Sequence, residues 1–169
     1  MATNLVTLFF YRPDNCLSRL YQGYQLYHGL THHNITHVGI RLSDGSLLDM
    51  QFGKCVIGFA PPQDFAPDYE LLCETCYTDF QLVSSALRFM RMYGAMSPFN
   101  FTESNCVEFT RFVLNLNSSL RTVSDIYDHF SRETDRLLAS RDIGGRTATA
   151  PSNLASTWAE VQRDNCRDA

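Results

Sequence analysis

The segment His37-Val-Gly-Ile-Arg-Leu-Ser-Asp-Gly-Ser-Leu-Leu-Asp49 is the most informative part of this chain for predicting its fold. Two strand-like runs, His37–Leu42 and Ser46–Phe52, flank a turn at Ser43-Asp44-Gly45 and predict a β-hairpin. Side chains alternate along each strand, so the length of the turn decides which of them share a face of the hairpin.

Two turn lengths are consistent with this hairpin. A two-residue turn at Asp44-Gly45 would place Phe52 opposite His37 and leave Asp49 on the other face. A three-residue turn, with Gly45 in the left-handed conformation, makes Asp49 a same-face diagonal neighbour of His37. The two backbones are then about 7–8 Å apart, a gap that long side chains can bridge.

The three-residue turn therefore assembles a carboxylate and an imidazole. It places Gln51 directly opposite His37, so Gln51 is the rival of Asp49 as the residue that orients the ring. Gly39 lies opposite Asp49 and is expected to leave the space between the two side chains open. Asp44 is assigned to the turn itself.

A candidate nucleophile lies far downstream, where the turn-prone run Phe101–Asn105 ends at Cys106. This cysteine opens a segment whose apolar residues recur at helical spacing: Phe109, Phe112, Val113 and Leu116. A thiol at a helix N-terminus lies where unpaired N–H groups and the helix dipole favour the charged thiolate. With His37 as its base, Cys106 is a candidate nucleophile, whereas alone it would be read as a small core residue.

Other residues are candidates for supporting roles. A tetrahedral intermediate at Cys106 needs a second hydrogen-bond donor besides the backbone N–H of the cysteine, and Tyr11 is the candidate. Gln51 and Asn105 are further candidates for oxyanion stabilisation or for orientation of the catalytic groups.

The rest of the chain predicts an α+β domain. The expected strands are Leu5–Tyr11, Lys54–Phe59 and Tyr69–Tyr77, and the expected helices are Leu17–His28, Phe80–Tyr93 and Val123–Leu138. Residues 1–139 are expected to form the catalytic domain. Residues 140–169 are expected to be a flexible linker, rich in small residues, and a short helix around Trp158.

The first expected helix has a face of large side chains. Leu17, Leu20, Tyr21, Tyr24 and Tyr27 fall on one side at helical spacing. Such a face either packs into the core or lines a substrate cleft.

Composition narrows the function classes. The chain has 169 residues, 44% of them hydrophobic, and a formal charge of −4 without a block of Lys or Arg, which argues against nucleic-acid binding. The short apolar run near Met1 is not flanked as a signal peptide would be, and no run has transmembrane length, so we expect a cytoplasmic protein with reduced cysteines. Cys73 and Cys76 have zinc-like spacing but no second pair, so neither a metal nor a cofactor is expected.

The histidine hairpin resembles that of the circularly permuted NlpC-type papain-like superfamily. In that group a catalytic His begins a strand, a glycine-containing turn follows, and a polar residue on the next strand orients the imidazole. Leu8-Phe-Phe-Tyr-Arg12 with Leu17-Ser-Arg-Leu20 is similar to the opening of the YiiX-like branch, as is Gly94 with Ser97-Pro-Phe-Asn-Phe101. Asn105-Cys106-Val-Glu-Phe109 is similar to the nucleophile motif of the lecithin–retinol acyltransferase-like branch.

The resemblance covers about Leu5 to Leu116. It implies a small antiparallel sheet packed on the helix of Cys106, and a Cys106–His37–Asp49 triad that cleaves amide, peptide or isopeptide bonds. Asp49 stands where the acyltransferase branch usually has a second His, and no stretch of this sequence is predicted to form the C-terminal membrane-anchoring helix of lipid-acting members. Both departures favour an amide substrate. The alternatives are a thiol acyltransferase or phospholipase, and a non-catalytic interaction module such as a viral or host-interference factor.

Overall fold

The computed structural model describes residues 3–14, 16–32, 34–51, 54–61, 65–93 and 105–142. Three expectations lie outside these residues: the approach to the nucleophile from Gly94 to Phe101, the greater part of the predicted linker, and the helix around Trp158.

Five strands and four helices form the described part of the chain. In chain order they are β1 (Asn4–Tyr11), α1 (Cys16–Tyr27), β2 (His37–Arg41), β3 (Leu47–Gln51), β4 (Lys54–Phe59), β5 (Tyr69–Thr75), α2 (Asp79–Tyr93), α3 (Cys106–Leu114) and α4 (Val123–Asp142). The strands make one antiparallel sheet in the order β4-β3-β2-β1-β5. The predicted α+β class is confirmed. α4 continues past its predicted end at Leu138.

The interior strand β1 pairs with both β2 and β5. Its register with β2 places Tyr11 opposite His37 and Phe9 opposite Gly39. One face of the sheet carries the apolar core, where Leu8, Phe10, Val38, Ile40 and Leu48 pack against helix side chains that include Leu82, Phe89, Phe109, Ile126 and Phe130. Each large apolar side chain buried there contributes roughly 1.5–3 kcal/mol to folding.

The turn between β2 and β3 has three residues. Ile40 lies opposite Leu48, and the N–H of Leu42 donates to the carbonyl of Ser46 at 2.8 Å. Gly45 has a φ of 86°, the positive value that this turn requires and that glycine adopts without strain. The longer turn is therefore the one that forms, and its register carries Asp49 to the position opposite Gly39.

Asp44 belongs to the turn, as predicted. Its Oδ1 accepts hydrogen bonds from the backbone N–H and the hydroxyl of Ser46, at 2.8 and 2.6 Å. These bonds hold the pKa of the Asp44 carboxyl below its usual value.

The expectation of open space above Gly39 is wrong. The buried ring of Phe9 lies over this glycine, and a Cβ built at residue 39 would overlap that ring. Gly39 is needed because the cross-strand aromatic ring takes the volume that a side chain would fill.

The α1 helix does not bury the whole of its face of large side chains, for which the sequence left core packing and a substrate cleft open. It buries Ser18 and Gln25 and exposes Leu20, Tyr24 and Tyr27. Hydrogen bonds explain this orientation, because buried polar groups are retained where they find partners. The Ser18 hydroxyl bonds to that of Thr36, and Gln25 bonds to the loop before β2 and to the start of α4.

The chain divides into a unit of residues Met1–Thr134 and a unit of residues Asp135–Ala169. The first unit contains the whole sheet, helices α1 to α3 and every residue of the site described below. None of the described helices is both long and apolar enough to cross a membrane.

Candidate active site

His37 begins β2 and is buried. Pairing of β1 with β2 sets Tyr11 directly across from it, with ring centroids 4.9 Å apart in an edge-on arrangement. The aromatic neighbour restricts the orientation of the imidazole and shields it from water.

Asp49 is fully buried, and its Oδ1 lies 2.6 Å from Nε2 of His37. Its other oxygen, Oδ2, accepts a hydrogen bond from Nε2 of Gln51 at 2.7 Å. Both candidates for the orienting role therefore contribute. Asp49 contacts the imidazole directly, and Gln51 fixes the orientation of Asp49. A carboxylate with both oxygens bonded keeps one orientation, and so does the ring that it contacts.

Cys106 is the first residue of α3, which packs against β2 and β3. Asn105 caps the helix, since its backbone is extended and its Oδ1 accepts from the N–H of Glu108 at 2.9 Å. The cap leaves the N–H groups of Cys106 and Val107 outside the hydrogen-bond ladder of the helix. They point beyond the helix end, where they can meet negative charge.

Cys106 and Asp49 both act on His37. Burial by itself lowers the pKa of His37. The negative charges of Asp49 and of the Cys106 thiolate, together with hydrogen bonds to both side chains, outweigh burial and raise this pKa well above its usual value. Since Nε2 faces Asp49, Nδ1 is the nitrogen left for the thiol. The raised pKa favours the imidazolium form of His37.

Tyr11 lies at the same site. Burial raises the pKa of its hydroxyl, and the charges of Asp49 and Cys106 raise it further. The group therefore stays protonated and remains a hydrogen-bond donor. Phe9 and Phe65 pack on its ring, with centroids at 6.2 and 6.0 Å, and fix its position.

The other predicted support residue, Asn105, serves the site through the helix, because its side chain caps α3. One neighbour of the cysteine was missed by the sequence reasoning. Burial and, to a smaller extent, the charge of Cys106 raise the pKa of Tyr21, whose hydroxyl accepts from the N–H of Val123 at 3.2 Å. Helical spacing had grouped Tyr21 with Tyr24 and Tyr27, and no local signal connected it to Cys106.

The Cys73–Cys76 pair does not form a common site. Cys73 is buried in the core, where burial raises the pKa of its thiol, whereas Cys76 is exposed. Among the residues that the structure describes, no group of three or more His, Cys, Asp or Glu side chains could hold a metal ion.

Chemically, the site combines a thiol, a proton-transferring imidazole, an orienting carboxylate and N–H or O–H donors. This is the set that nucleophilic attack on a carbonyl carbon requires. Comparisons with protein-family models, with curated proteins and with solved structures found no match to this chain.

Proposed function

We propose that this protein is a cysteine-dependent hydrolase that cleaves amide, peptide or isopeptide bonds. The observation that carries the proposal is the position of His37 between Asp49 and Cys106. Its Nε2 lies 2.6 Å from Asp49, and its raised pKa reflects interaction with both partners.

Each residue has a role in the reaction. The Cys106 thiolate attacks the carbonyl carbon, and the developing oxyanion is met by the N–H of Cys106 and the hydroxyl of Tyr11. When the C–N bond breaks, His37 gives its proton to the leaving nitrogen, and a thioester on Cys106 remains. Water then attacks the thioester while His37 accepts its proton, which releases the carboxylic acid and restores the thiolate.

We also propose that the domain is a circularly permuted papain-like fold. Its support is the order of the elements: an opening strand and helix, then the hairpin of His37, then the helix of Cys106. The antiparallel sheet and the contact of α3 with β2 and β3 agree with that order.

An amide substrate is favoured over a lipid ester. The partner of His37 is the Asp49 carboxylate, and an opposite charge at this distance stabilises the imidazolium that protonates a leaving amine. An amine is a poorer leaving group than an alkoxide until it is protonated, so this feature helps amide cleavage most.

A side-by-side assay tests the proposal. The wild-type protein and Cys106→Ala are incubated with a library of activated peptide amides and with phosphatidylcholine vesicles. We expect peptide cleavage by the wild type and none by Cys106→Ala. Phospholipid deacylation without amide cleavage would reverse the choice of substrate, and turnover by folded Cys106→Ala would end the cysteine mechanism.

A further inference from the structure

The α1 helix is held to the domain through its polar side. Gln25, which is fully buried, donates from Nε2 to the carbonyl of Ile35 at 2.8 Å and accepts from the Ser124 hydroxyl at 3.1 Å. Ser18 bonds to Thr36 in the same layer. Polar groups anchor the helix, and the large side chains Leu20, Tyr24 and Tyr27 face outward.

Tyr24 and Tyr27 belong to a row of aromatic rings that starts at the partly buried Tyr21. The rings of Tyr21 and Tyr24 stack with centroids 5.9 Å apart, and Tyr24 lies 4.5 Å from His28, which also contacts Tyr27 at 5.2 Å. Tyr24 is 49% exposed and Tyr27 87% exposed. Of the two roles open from the sequence, core packing is therefore excluded for these two tyrosines. The four residues Tyr21, Tyr24, Tyr27 and His28 are called the aromatic row below.

The aromatic row begins at the candidate active site. Tyr21 lies one turn along α1 from Ser18, whose hydroxyl bonds to that of Thr36, the residue before His37. The Tyr21 ring packs against the core, and its hydroxyl accepts from the N–H of Val123 at the start of α4. Burial and, to a smaller extent, the charge of Cys106 raise the pKa of this hydroxyl. From there the row continues outward to Tyr27. A substrate with its scissile bond at Cys106 can thus lie along the row.

We propose that the aromatic row is the specificity surface of the enzyme and binds an extended peptide that carries apolar side chains on one side of the scissile bond. This inference rests on the proposed function and adds the class of substrate. In an extended chain, side chains on one face recur about every 6.6 Å. Tyr21 to His28 spans about 10 Å of helix, which is enough for two such side chains.

The charge of α1 favours a peptide over a membrane surface as the ligand of the aromatic row. Helices that bind lipid surfaces carry many Lys and Arg residues beside their apolar face. The only charged residue within α1 is Arg19, which bonds to Asp14 at 2.9 Å. Tyrosine rings with a neighbouring imidazole instead suit an uncharged chain with apolar side chains and backbone groups that accept hydrogen bonds.

The test uses binding, so that it does not depend on turnover. The 169-residue chain with Cys106→Ala, which cannot consume its ligand, selects from a phage-displayed library of short linear peptides. Selected peptides are then measured by fluorescence anisotropy against Cys106→Ala and against the same protein with Tyr24→Ala and Tyr27→Ala. Phe80→Ala in the same background is the matched control, because Phe80 is 80% exposed on α2, outside the row.

We expect selected peptides to carry two Leu, Phe or Tyr residues separated by one position. Their affinity should fall about tenfold in the double tyrosine variant and stay unchanged in Phe80→Ala. Selection without apolar preference, or equal affinities in all variants, would overturn the proposal, even if the wild type cleaves other peptides. The proposal would also be overturned if the double tyrosine substitution reduced binding to phosphatidylcholine vesicles and left peptide binding unchanged. If the peptides bind as expected but the wild type does not cleave them, the aromatic row stands and the proposed hydrolase function falls.

Discussion

This molecule contains two His–Asp pairs that are alike in distance and different in surroundings. His37 and Asp49 lie 2.6 Å apart, with 7% and 1% of their side chains exposed. His32 and Asp128 lie 2.8 Å apart, with 33% and 50% exposed. The bond lengths alone would not distinguish a functional pair from an ordinary one.

Burial and a third partner make the difference. Water screens the surface pair, and such pairs contribute about 0–1 kcal/mol to stability. Charges in the buried pair interact through a medium of lower dielectric constant, and His37 also interacts with the thiol of Cys106. The ring of His32 instead lies 4.2 Å from that of Tyr127, with the distance measured between centroids. The surface pair therefore connects the loop that contains His32 to α4.

The largest expected effect is on kcat/KM, which should fall when His37 is replaced and not when His32 is replaced. His37→Ala and Cys106→Ala should each lower kcat/KM at least about a thousandfold, because proton transfer and the nucleophile are lost. His32→Ala should leave the rate within about twofold. Initial rates on the best peptide substrate measure the effect, with far-UV circular dichroism to show that the variants are folded. Equal losses for His32→Ala and His37→Ala would remove the distinction between the pairs.

Replacing the two aspartates should have different effects on the free energy of unfolding. Asp49→Ala leaves a buried imidazole without its carboxylate and should lower the free energy of unfolding by about 3–5 kcal/mol. Asp128→Ala should lower it by less than about 1 kcal/mol. Urea denaturation followed by circular dichroism gives both values, provided that the m-values agree. A loss below about 1 kcal/mol for Asp49→Ala would mean that the buried pair does not stabilise the fold.

The pH dependence of the rate should sharpen the comparison. His37 must be protonated to release the amine, and its raised pKa keeps it protonated above its ordinary value of 6.5, so activity is lost only as the pH rises through the higher value. Asp49→Asn removes the charge that supports the imidazolium. It should therefore shift this loss to lower pH and reduce the rate about a hundredfold.

The matched control for that experiment is Asp128→Asn, which changes the surface pair in the same way. Its pH profile of kcat/KM should coincide with that of the wild type. Titration of the His37 ring by NMR reports the same shift without turnover. A His37 pKa that is identical in Asp49→Asn and in the wild type would contradict the assignment of Asp49.

The smallest expected effect concerns the second neighbours of the two carboxylates. Gln51 donates to Asp49 at 2.7 Å, and the Thr31 hydroxyl lies 3.4 Å from Asp128. Gln51→Ala should lower kcat about tenfold, because Asp49 is then less well oriented, while KM changes little. Thr31→Ala should change neither constant. A rise in KM alone for Gln51→Ala would place Gln51 on the substrate instead.

The His37–Asp49 pair could be predicted from the sequence because it depends on one local feature, the length of the turn between β2 and β3. Once the turn at Ser43-Asp44-Gly45 has three residues, strand alternation brings Asp49 beside His37. The helix start at Cys106 follows in the same way from Asn105 and the apolar spacing behind it. Both are short-range rules that tertiary packing did not override.

What the sequence could not predict depends on residues distant in the chain. Apolar spacing in α1 left both burial and a substrate cleft open for Tyr24 and Tyr27. Hydrogen-bond partners of Gln25, at Ile35 and Ser124, determine which face of the helix is buried. The ring above Gly39 comes from Phe9, on a strand whose pairing partner no local pattern identifies. In both cases the sequence does not show which distant segments of the chain pack against each other.

The three-residue turn also has a consequence for biosynthesis. Its tight closure pairs two residues only 12 positions apart, and isolated hairpins form in about 1–10 μs. At about 5–20 residues per second, a ribosome needs several seconds more to reach Cys106 after Asp49. The base and its carboxylate can therefore meet in the nascent chain well before the nucleophile has been made. Under the proposed mechanism, the Cys106 thiol is activated only when α3 docks on the hairpin. A chain that is still being synthesised would then carry no activated nucleophile.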